Sequence, residues 1–455
     1  MTIHSLTATQ LGTAIRAHHT TAVQATDAAL HRIQQADPAL GAFVVVDAAG
    51  ARAAASEADR ELAEGIDRGL LHGVPVAVKD IFDIAGLPTT CGSATSFGTE
   101  RAETDAHVVD SARRAGAVIV GKTVLHEFAF GATGDRSAHG PSRNPHDQTR
   151  VSGGSSGGSA VAVASGMVPL SMGTDTAGSV RVPAALCGIV GFKPAFDALS
   201  TAGVYPLAPS LDHVGVFATS VADAEGFSQI LGDTKPNTAI ATPERYLGWI
   251  DPAAIAPTDS TVTASVRETL TKAGFGLQDA TSTVRDFPPG DLFAVFTAIQ
   301  GREAYEVHRH HLEHDAHLID PGVLARLQAG GQVSEATYAD ARRARTQFAV
   351  AVDAALAEFG VLALPTTPIT APLLYQTISQ IDGNEVNTRA ALLSLTSPWN
   401  MTGSPAISIP GGELNGLPLG IQLITSPGNE ATLFATAALL EHTTAAQETK
   451  CPPSK

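Results

Sequence analysis

Two clusters of small residues in this sequence could present a nucleophile. The first is Val151-Ser-Gly-Gly-Ser-Ser-Gly-Gly-Ser-Ala160, which runs straight into the apolar stretch Val161–Gly166. Gly/Ser runs often serve as flexible linkers. One that leads directly into an Ala/Val helix instead places its glycines where a helix start presents free N–H groups. The second cluster, Gly173-Thr-Asp-Thr-Ala-Gly-Ser-Val-Arg-Val-Pro183, follows an apolar segment and ends in a proline suited to the start of a helix. A serine in such a turn can be ringed by outward-facing backbone N–H groups, the arrangement that the oxyanion of acyl transfer requires.

Other spellings compete. Gly153-Gly154-Ser155-Ser156-Gly157 fits the G-x-S-x-G elbow of serine hydrolases, but that elbow follows a strand. The preceding Arg143–Arg150 is polar and contains Pro145. Gly116 through Gly121-Lys122-Thr123 satisfies a phosphate-loop spelling, yet its intervening Ala-Val-Ile-Val reads as a strand and not as a loop wrapping phosphate. His308, His310, His311, His314 and His317 crowd one segment, with His310 and His314 at the i,i+4 spacing of a metal pair. Nothing else completes a metal site at recognisable spacing, so a solvated helix face is expected. Cys187 is expected to pack as a small core residue and Cys91 to line a loop, neither beside an activating partner.

The elements that must position these clusters are legible as an alternation. Thr7 with Gln10, and Thr21 with Gln24, spell capping boxes ahead of two helices. Leu11, Ile15, Val23, Leu30 and Ile33 would supply their buried stripe, and an Ala-rich helix follows from about Ala48 to Glu64. Val74–Val78, Ala117–Val120, Ile189–Phe192, Val361–Leu364, Ala406–Ile409 and Leu419–Leu423 are too short for buried helices. Their Val/Ile content suits strands covered on both faces. From Asp233 to Phe359 the texture changes to a stretch punctuated by Pro236, Pro243, Pro252 and Pro257, then a long polar helical region. That segment reads as a peripheral cap on the same domain.

The 455 residues are 44% hydrophobic and 16% charged, which suits a large buried core and rules out global disorder. With 29 basic and 45 acidic residues the net charge is −16, which argues against a partner bound through its phosphate backbone. Cys91, Cys187 and Cys451 form no CxxC pair and no disulfide ladder, as expected for a reducing compartment. No apolar run approaches the ~18 residues of a membrane span, and the start lacks the basic and apolar regions of a signal peptide. A cytoplasmic protein without membrane contact is expected.

The two clusters, together with Gly73-Val-Pro-Val-Ala-Val-Lys-Asp80, resemble the amidase signature family of Ser-Ser-Lys hydrolases. The resemblance extends through Gly116–Gly131, Gly140–Pro145, Gly188–Pro194, Ser210–Gly215, Leu364–Pro368, Asn400–Pro405 and Gly416–Gly420. It implies Ser179 as nucleophile, Ser155 as proton relay behind a cis Gly154–Ser155 peptide, and Lys79 as base. It also implies backbone N–H groups of Thr176, Ala177, Gly178 and Ser179 around the oxyanion, with no metal or organic cofactor. One departure stands out: many members carry Gly-Gly where this chain has Ala177-Gly178, and alanine resists positive φ.

A lysine base must be neutral. From an ordinary pKa of about 10.4 it must fall by about 3 to be half neutral near neutral pH, a cost of roughly 4 kcal/mol. Burial supplies this if no carboxylate compensates. Asp80 is the obvious objection, although neighbours on a strand point to opposite faces.

The expectation is therefore an α/β fold: one α/β/α layered domain over residues 1–455, with a mixed, mostly buried central sheet and a peripheral helical cap at about 233–359. The expected function is hydrolysis of C–N bonds in small carboxamides, anilides or carbamates (urethanes), with aryl esterase side activity, by a monomer or homodimer. Phe128–Thr133, foremost Phe128, Ala129, Phe130 and Gly131, and the region after Pro365 are the expected pocket walls. The alternative is the A subunit of a tRNA-dependent glutaminyl amidotransferase, a glutaminase within a complex. Ala177 and the stretch Glu303–Phe348 resemble stand-alone amidases more.

Overall fold

The computed structural model describes residues 3–95, 100–232 and 241–448, with side chains to Thr443. The expectations resting on the first two residues, Pro236 and Cys451 lie outside the described residues. Helices Ala8–Arg16 and Ala22–Leu40 both open on complete capping boxes: Thr7 and Thr21 accept the N–H of Gln10 and Gln24, whose side chains reach back. Leu11, Ile15, Leu30 and Ile33 are buried as their spacing requires, while Val23 is half-buried. The Ala-rich helix spans Ala48–Ala63.

All six apolar runs are strands. In chain order the strands are β1 (Phe43–Val46), β2 (Pro75–Lys79), β3 (Val118–Thr123), β4 (Leu170–Thr174), β5 (Val190–Lys193), β6 (Val214–Ala218) and β7 (Tyr246–Trp249). They continue with β8 (Gly276–Asp279), β9 (Val361–Pro365), β10 (Ile378–Ile381), β11 (Asn384–Asn387), β12 (Ala406–Leu414) and β13 (Leu417–Thr425). Among the described residues, all but the β10–β11 hairpin join one 11-stranded sheet ordered β1-β3-β2-β4-β6-β5-β12-β13-β9-β7-β8. β3, β2 and β4 run parallel, as do β9, β7 and β8, and the pairs between these groups are antiparallel.

Alternation along the strands feeds cores on both faces. Val76, Val78 and Ile119 pack with helices such as His107–Arg114 and Val221–Leu231. Ala77, Val118 and Val120 pack on the other side with helices Ala48–Ala63 and Gly157–Ala164. The result is a single mixed α/β domain whose large sheet is flanked by helices.

The expected cap needs narrowing. β7 and β8 fall inside 233–359 yet belong to the sheet, with Gly248 and Trp249 paired to Leu362 and Ala363 of β9. These four-residue strands sit among prolines and glycines, which masked their pattern. The helical stretch is the later part: helices Asp291–His314, Pro321–Gly330 and Glu335–Phe359, of which the first packs on each of the other two.

Candidate active site

Lys79 is the last residue of β2, a strand buried at every position. It shares a face with Ala77, which packs against helix Gly157–Ala164. Its amine is therefore carried to the start of that helix, 2.9 Å from Ser155 Oγ and 2.7 Å from Thr174 Oγ1. Asp80 turns away. Its carboxylate meets Lys122 Nζ at 2.6 Å in a fully buried pair, and Lys122 also donates to the Pro88 carbonyl and Thr89 Oγ1. The lysine of the phosphate-loop spelling is thus a strand residue that neutralises Asp80. No described carboxylate lies within 4.0 Å of Lys79, so burial lowers its pKa to about 7 against the more distant upward pull of Asp175 and Asp212.

The first Gly/Ser cluster is no linker. Its helix is stitched to β4 by Ser156 Oγ on the Thr174 carbonyl (3.1 Å), Ser159 Oγ on the Met172 carbonyl (2.9 Å) and Ser171 Oγ on the Ser159 carbonyl (2.9 Å). Gly158 must be glycine, because a Cβ there would meet the Ala42 carbonyl oxygen at 2.3 Å. The Gly154–Ser155 peptide is cis. The Ser155 carbonyl accepts the N–H of His126 at 3.0 Å.

Ser179 closes the turn between β4 and helix Arg181–Cys187, and it is 3% exposed. Asp175 shapes that turn. Its Oδ1 accepts the N–H of Gly178 at 2.8 Å, and its Oδ2 accepts the N–H of Val180 at 3.2 Å. The Gly178 N–H, expected among the oxyanion donors, is therefore already committed. The N–H groups of Thr176, Ala177 and Ser179 donate to nothing among the described residues, so these three remain available. Ala177 lies outside the positive-φ region, whereas Gly178 is at +128° and a Cβ on it would strike Thr396 Oγ1 at 2.1 Å. The glycine that the turn demands is the one retained. No hydrogen bond joins Ser155 Oγ and Ser179 Oγ; the loops are held together by the Ser156 N–H on the Ser179 carbonyl at 3.3 Å.

Behind the turn lies a buried network that the sequence reading did not assign. Arg181 spends all five of its N–H donors: Nε on Asp175 Oδ2, Nη1 on the Thr396 carbonyl and Gln422 Oε1, and Nη2 on Asp175 Oδ1 and Asn400 Oδ1. Burial by itself would raise the Asp175 pKa, but the Arg181 guanidinium holds it below the usual carboxylate range. Thr176 is anchored by Oγ1 on Asp212 Oδ1 at 2.6 Å, and burial pushes the Asp212 carboxyl up. Asp175, Arg181 and Asn400 all lie within segments quoted for the resemblance, so a signal was present; their roles were not.

Two cavities flank these loops. A small one of about 80 Å³ is lined by Thr174, Thr176, Ala129, Tyr205 and Asp212 among others. A larger one of about 460 Å³ is lined by residues including His126, Ala132, Thr133, Arg326, Tyr375 and Arg389. The structure places the expected wall residues variously. Ala129 and Thr133 line cavities, as do Tyr375, Gln376 and Thr377 after Pro365. Phe128 packs inward, 4.4 Å from the His308 ring and 5.6 Å from that of His311. Gly131 lies against the His126 ring, which a Cβ there would meet at 2.0 Å. Phe130 lies beneath the arginines that line the larger cavity. The sharp reversal comes from left-handed backbone at Phe128 and Ala129 (φ 53° and 58°), uncommon for non-glycine residues.

The histidine segment divides. His308 and His311 are buried, against expectation, because helix Asp291–His314 turns them onto Phe128 and Tyr205. His310, Glu313 and His314 are exposed with ligand atoms within 4.8 Å of one another. Cys187 is a core residue, its thiol on the Ser152 carbonyl at 3.3 Å and its pKa pushed up by burial; Cys91 is likewise buried. No helix among the described residues is long and apolar enough to cross a membrane.

Comparison with known proteins places this architecture among others. The family model described as Amidase matches residues 24–434. The chain is 34% identical over 447 residues to AtzE, the 1-carboxybiuret hydrolase subunit of Pseudomonas sp. (strain ADP), covering 94% of this chain and 96% of that one. It is 36% identical over 472 residues to the glutamyl-tRNA(Gln) amidotransferase A subunit of Anaeromyxobacter dehalogenans (strain 2CP-C), covering 95% of each. A crystal structure of an amidase superposes with a TM-score of 0.90 at 31% identity, over 96% of this chain and 99% of that one.

Proposed function

We propose, for a chain that belongs to the amidase family and so acts on C–N bonds, that Ser179 cleaves small carboxamides, anilides or carbamates through an acyl-enzyme. The observation that carries this is the pairing of Lys79 Nζ with Ser155 Oγ at 2.9 Å, in a buried setting that brings the lysine pKa to about 7. Neutral Nζ takes the Ser155 hydroxyl proton, and Ser155 takes that of Ser179 as Ser179 Oγ bonds to the carbonyl carbon. The displaced electron pair settles on the carbonyl oxygen, held by the N–H groups of Thr176, Ala177 and Ser179. Collapse breaks the C–N bond, and the proton returns through Ser155 to the leaving nitrogen. Water then adds to the acyl ester by the same relay, releasing the acid and restoring Ser179. The Ser155–Ser179 hydrogen bond closes when substrate is bound, as catalytic contacts commonly do. The proposal is of a free-standing cytoplasmic hydrolase, with carbamates (urethanes) among its substrates and aryl esters cleaved as a side activity.

The likeness to amidotransferase A subunits, at 36% identity, favours a second reading: a glutaminase that works in a complex. Hydrolysis by the purified single chain separates them. The panel is a short-acyl anilide, an aryl carbamate, an aryl ester and glutamine, each also tested on Ser179→Ala. Turnover of aryl substrates, reduced at least about 1,000-fold in the variant, is the expected result. Turnover retained by the variant overturns Ser179 as nucleophile. Glutamine turnover without aryl turnover favours the second reading.

A further inference from the structure

The last turns of helix Asp291–His314 carry a group of metal-binding side chains that the proposed chemistry does not use. His310, Glu313 and His314 are exposed, and one ligand atom from each lies within 4.8 Å of the others. The i,i+4 spacing alone marked the two histidines; the folded helix adds Glu313 on the same side. The rings of His310 and His314 are 4.3 Å apart between centroids. Side chains on a helix lean toward its N-terminus, and the His314 ring reaches back until its Nδ1 meets the His310 carbonyl at 2.9 Å. A carbonyl oxygen only accepts, so Nδ1 carries the hydrogen and the neutral ring keeps its lone pair on Nε2. Metal-binding histidines are commonly held in this way, with the second ring nitrogen donating to a carbonyl.

The donors are also uncommitted. Glu313 makes no ion pair among the described residues: Arg309, one turn before it, lies 3.8 Å from Glu306 instead. The electrostatic setting favours a cation. The cluster sits at the C-terminal end of a 24-residue helix, where the helix dipole places partial negative charge, and the chain as a whole carries −16. We propose that His310, Glu313 and His314 form a binding site for a divalent transition-metal ion such as zinc. Two imidazoles and a carboxylate suit zinc, nickel or copper, whereas magnesium and calcium take oxygen ligands. Ligand atoms around one tetrahedral zinc are about 3.3 Å apart, a spacing that exposed side chains reach by small rotations. Three protein ligands leave the fourth position to water. None of Lys79, Ser155 and Ser179 belongs to the cluster. The buried side of the same turns packs His308 and His311 on Phe128, and His311 Nε2 is 3.2 Å from the hydroxyl of Tyr205, which lines the small cavity. A bound ion thus braces a stretch of helix in contact with that wall.

The test is calorimetric titration of zinc into the tag-free chain, repeated on His310→Ala, His314→Ala and Glu313→Ala, with the exposed His442→Ala as control. The wild-type chain is expected to bind one zinc ion at this site. Each of the three cluster substitutions weakens that binding about 10- to 100-fold, and the control leaves it unchanged. Zinc at about 100 times its Kd is expected to raise the Tm of the wild-type chain by about 3 °C. The same concentration of magnesium does not, and zinc does not raise the Tm of the cluster variants. All three positions are exposed, so equal Tm values in a chelator show that the variants keep the fold. Absence of zinc binding in the wild-type chain overturns the proposal, as does binding that survives either histidine substitution or is lost equally in His442→Ala. Binding unaffected by Glu313→Ala overturns the three-ligand site. Neither readout uses a substrate, so the result is independent of Ser179 being a nucleophile.

Discussion

Lys79 illustrates how much one residue depends on what surrounds it. Its neighbour Asp80 is bound to Lys122, so the nearest negative charge in sequence does not hold the proton on Nζ. With a pKa near 7, kcat/KM should climb about tenfold per pH unit below pH 7 and level off above about 8, because only the neutral amine accepts a proton. Lys79→Ala should lose less at high pH than near neutrality. Thr174 Oγ1 accepts from Nζ and so favours the ammonium form. Thr174→Val should therefore move the half-maximal pH downward, by about one unit; an upward move in the pH–rate profile would contradict this arrangement. The same group links to folding. Between about 7 and the ordinary value near ~10.4, the unfolded chain holds a Lys79 proton that the folded chain does not, so this group's contribution to stability rises with pH. Ser155, Ser179 and Lys79 stood out through the family that their segments resemble, and the structure places Lys79 beside Ser155. Thr174 did not stand out, since a threonine ending a short strand carries no pattern of its own.

At the scale of elements, the turn from Asp175 to Arg181 is held from beneath. The Asp175–Arg181 pair is fully buried and saturated with hydrogen bonds to Asn400, Gln422 and the Thr396 carbonyl. Asp175→Asn leaves the Arg181 cation uncompensated in that interior. The expected cost is about 3–5 kcal/mol in urea unfolding, together with loss of activity as the Gly178 and Val180 N–H groups lose their anchor. Unchanged unfolding would mean that the pair is not what fixes the turn. Short runs rich in Val, Ile and Leu made β2, β3, β5, β9, β12 and β13 legible. β4, Leu-Ser-Met-Gly-Thr, and β6, Val-Gly-Val-Phe-Ala, were not, because their glycines and serine serve close approach of helices and not β-propensity. The tertiary neighbours that decide those choices lie far along the chain. The cavity arginines were missed for the same reason: Arg326 and Arg389 are distant in sequence and meet only over Phe130.

Across the whole molecule, one sheet gathers strands from Phe43 to Thr425, and β9 is clasped between β13 and β7. β7 and β8, within the stretch that read as cap, form its far edge. We therefore expect one calorimetric unfolding transition, because no helical segment can leave without exposing a shared core; a separate early transition would show that helices 291–359 melt alone. The general α/β reading came from composition and short apolar runs, while the sheet order required the folded chain. That order has an evolutionary reading. Lys79, Ser155 and Ser179 all come from the first two-fifths of the chain, whereas Arg326, Tyr375 and Arg389 come from the later part. On the proposed assignment, the reacting groups and the wall of the larger cavity are thus written in separate stretches of the gene. A crossover between them would exchange the cavity wall while the proposed reacting groups are inherited intact.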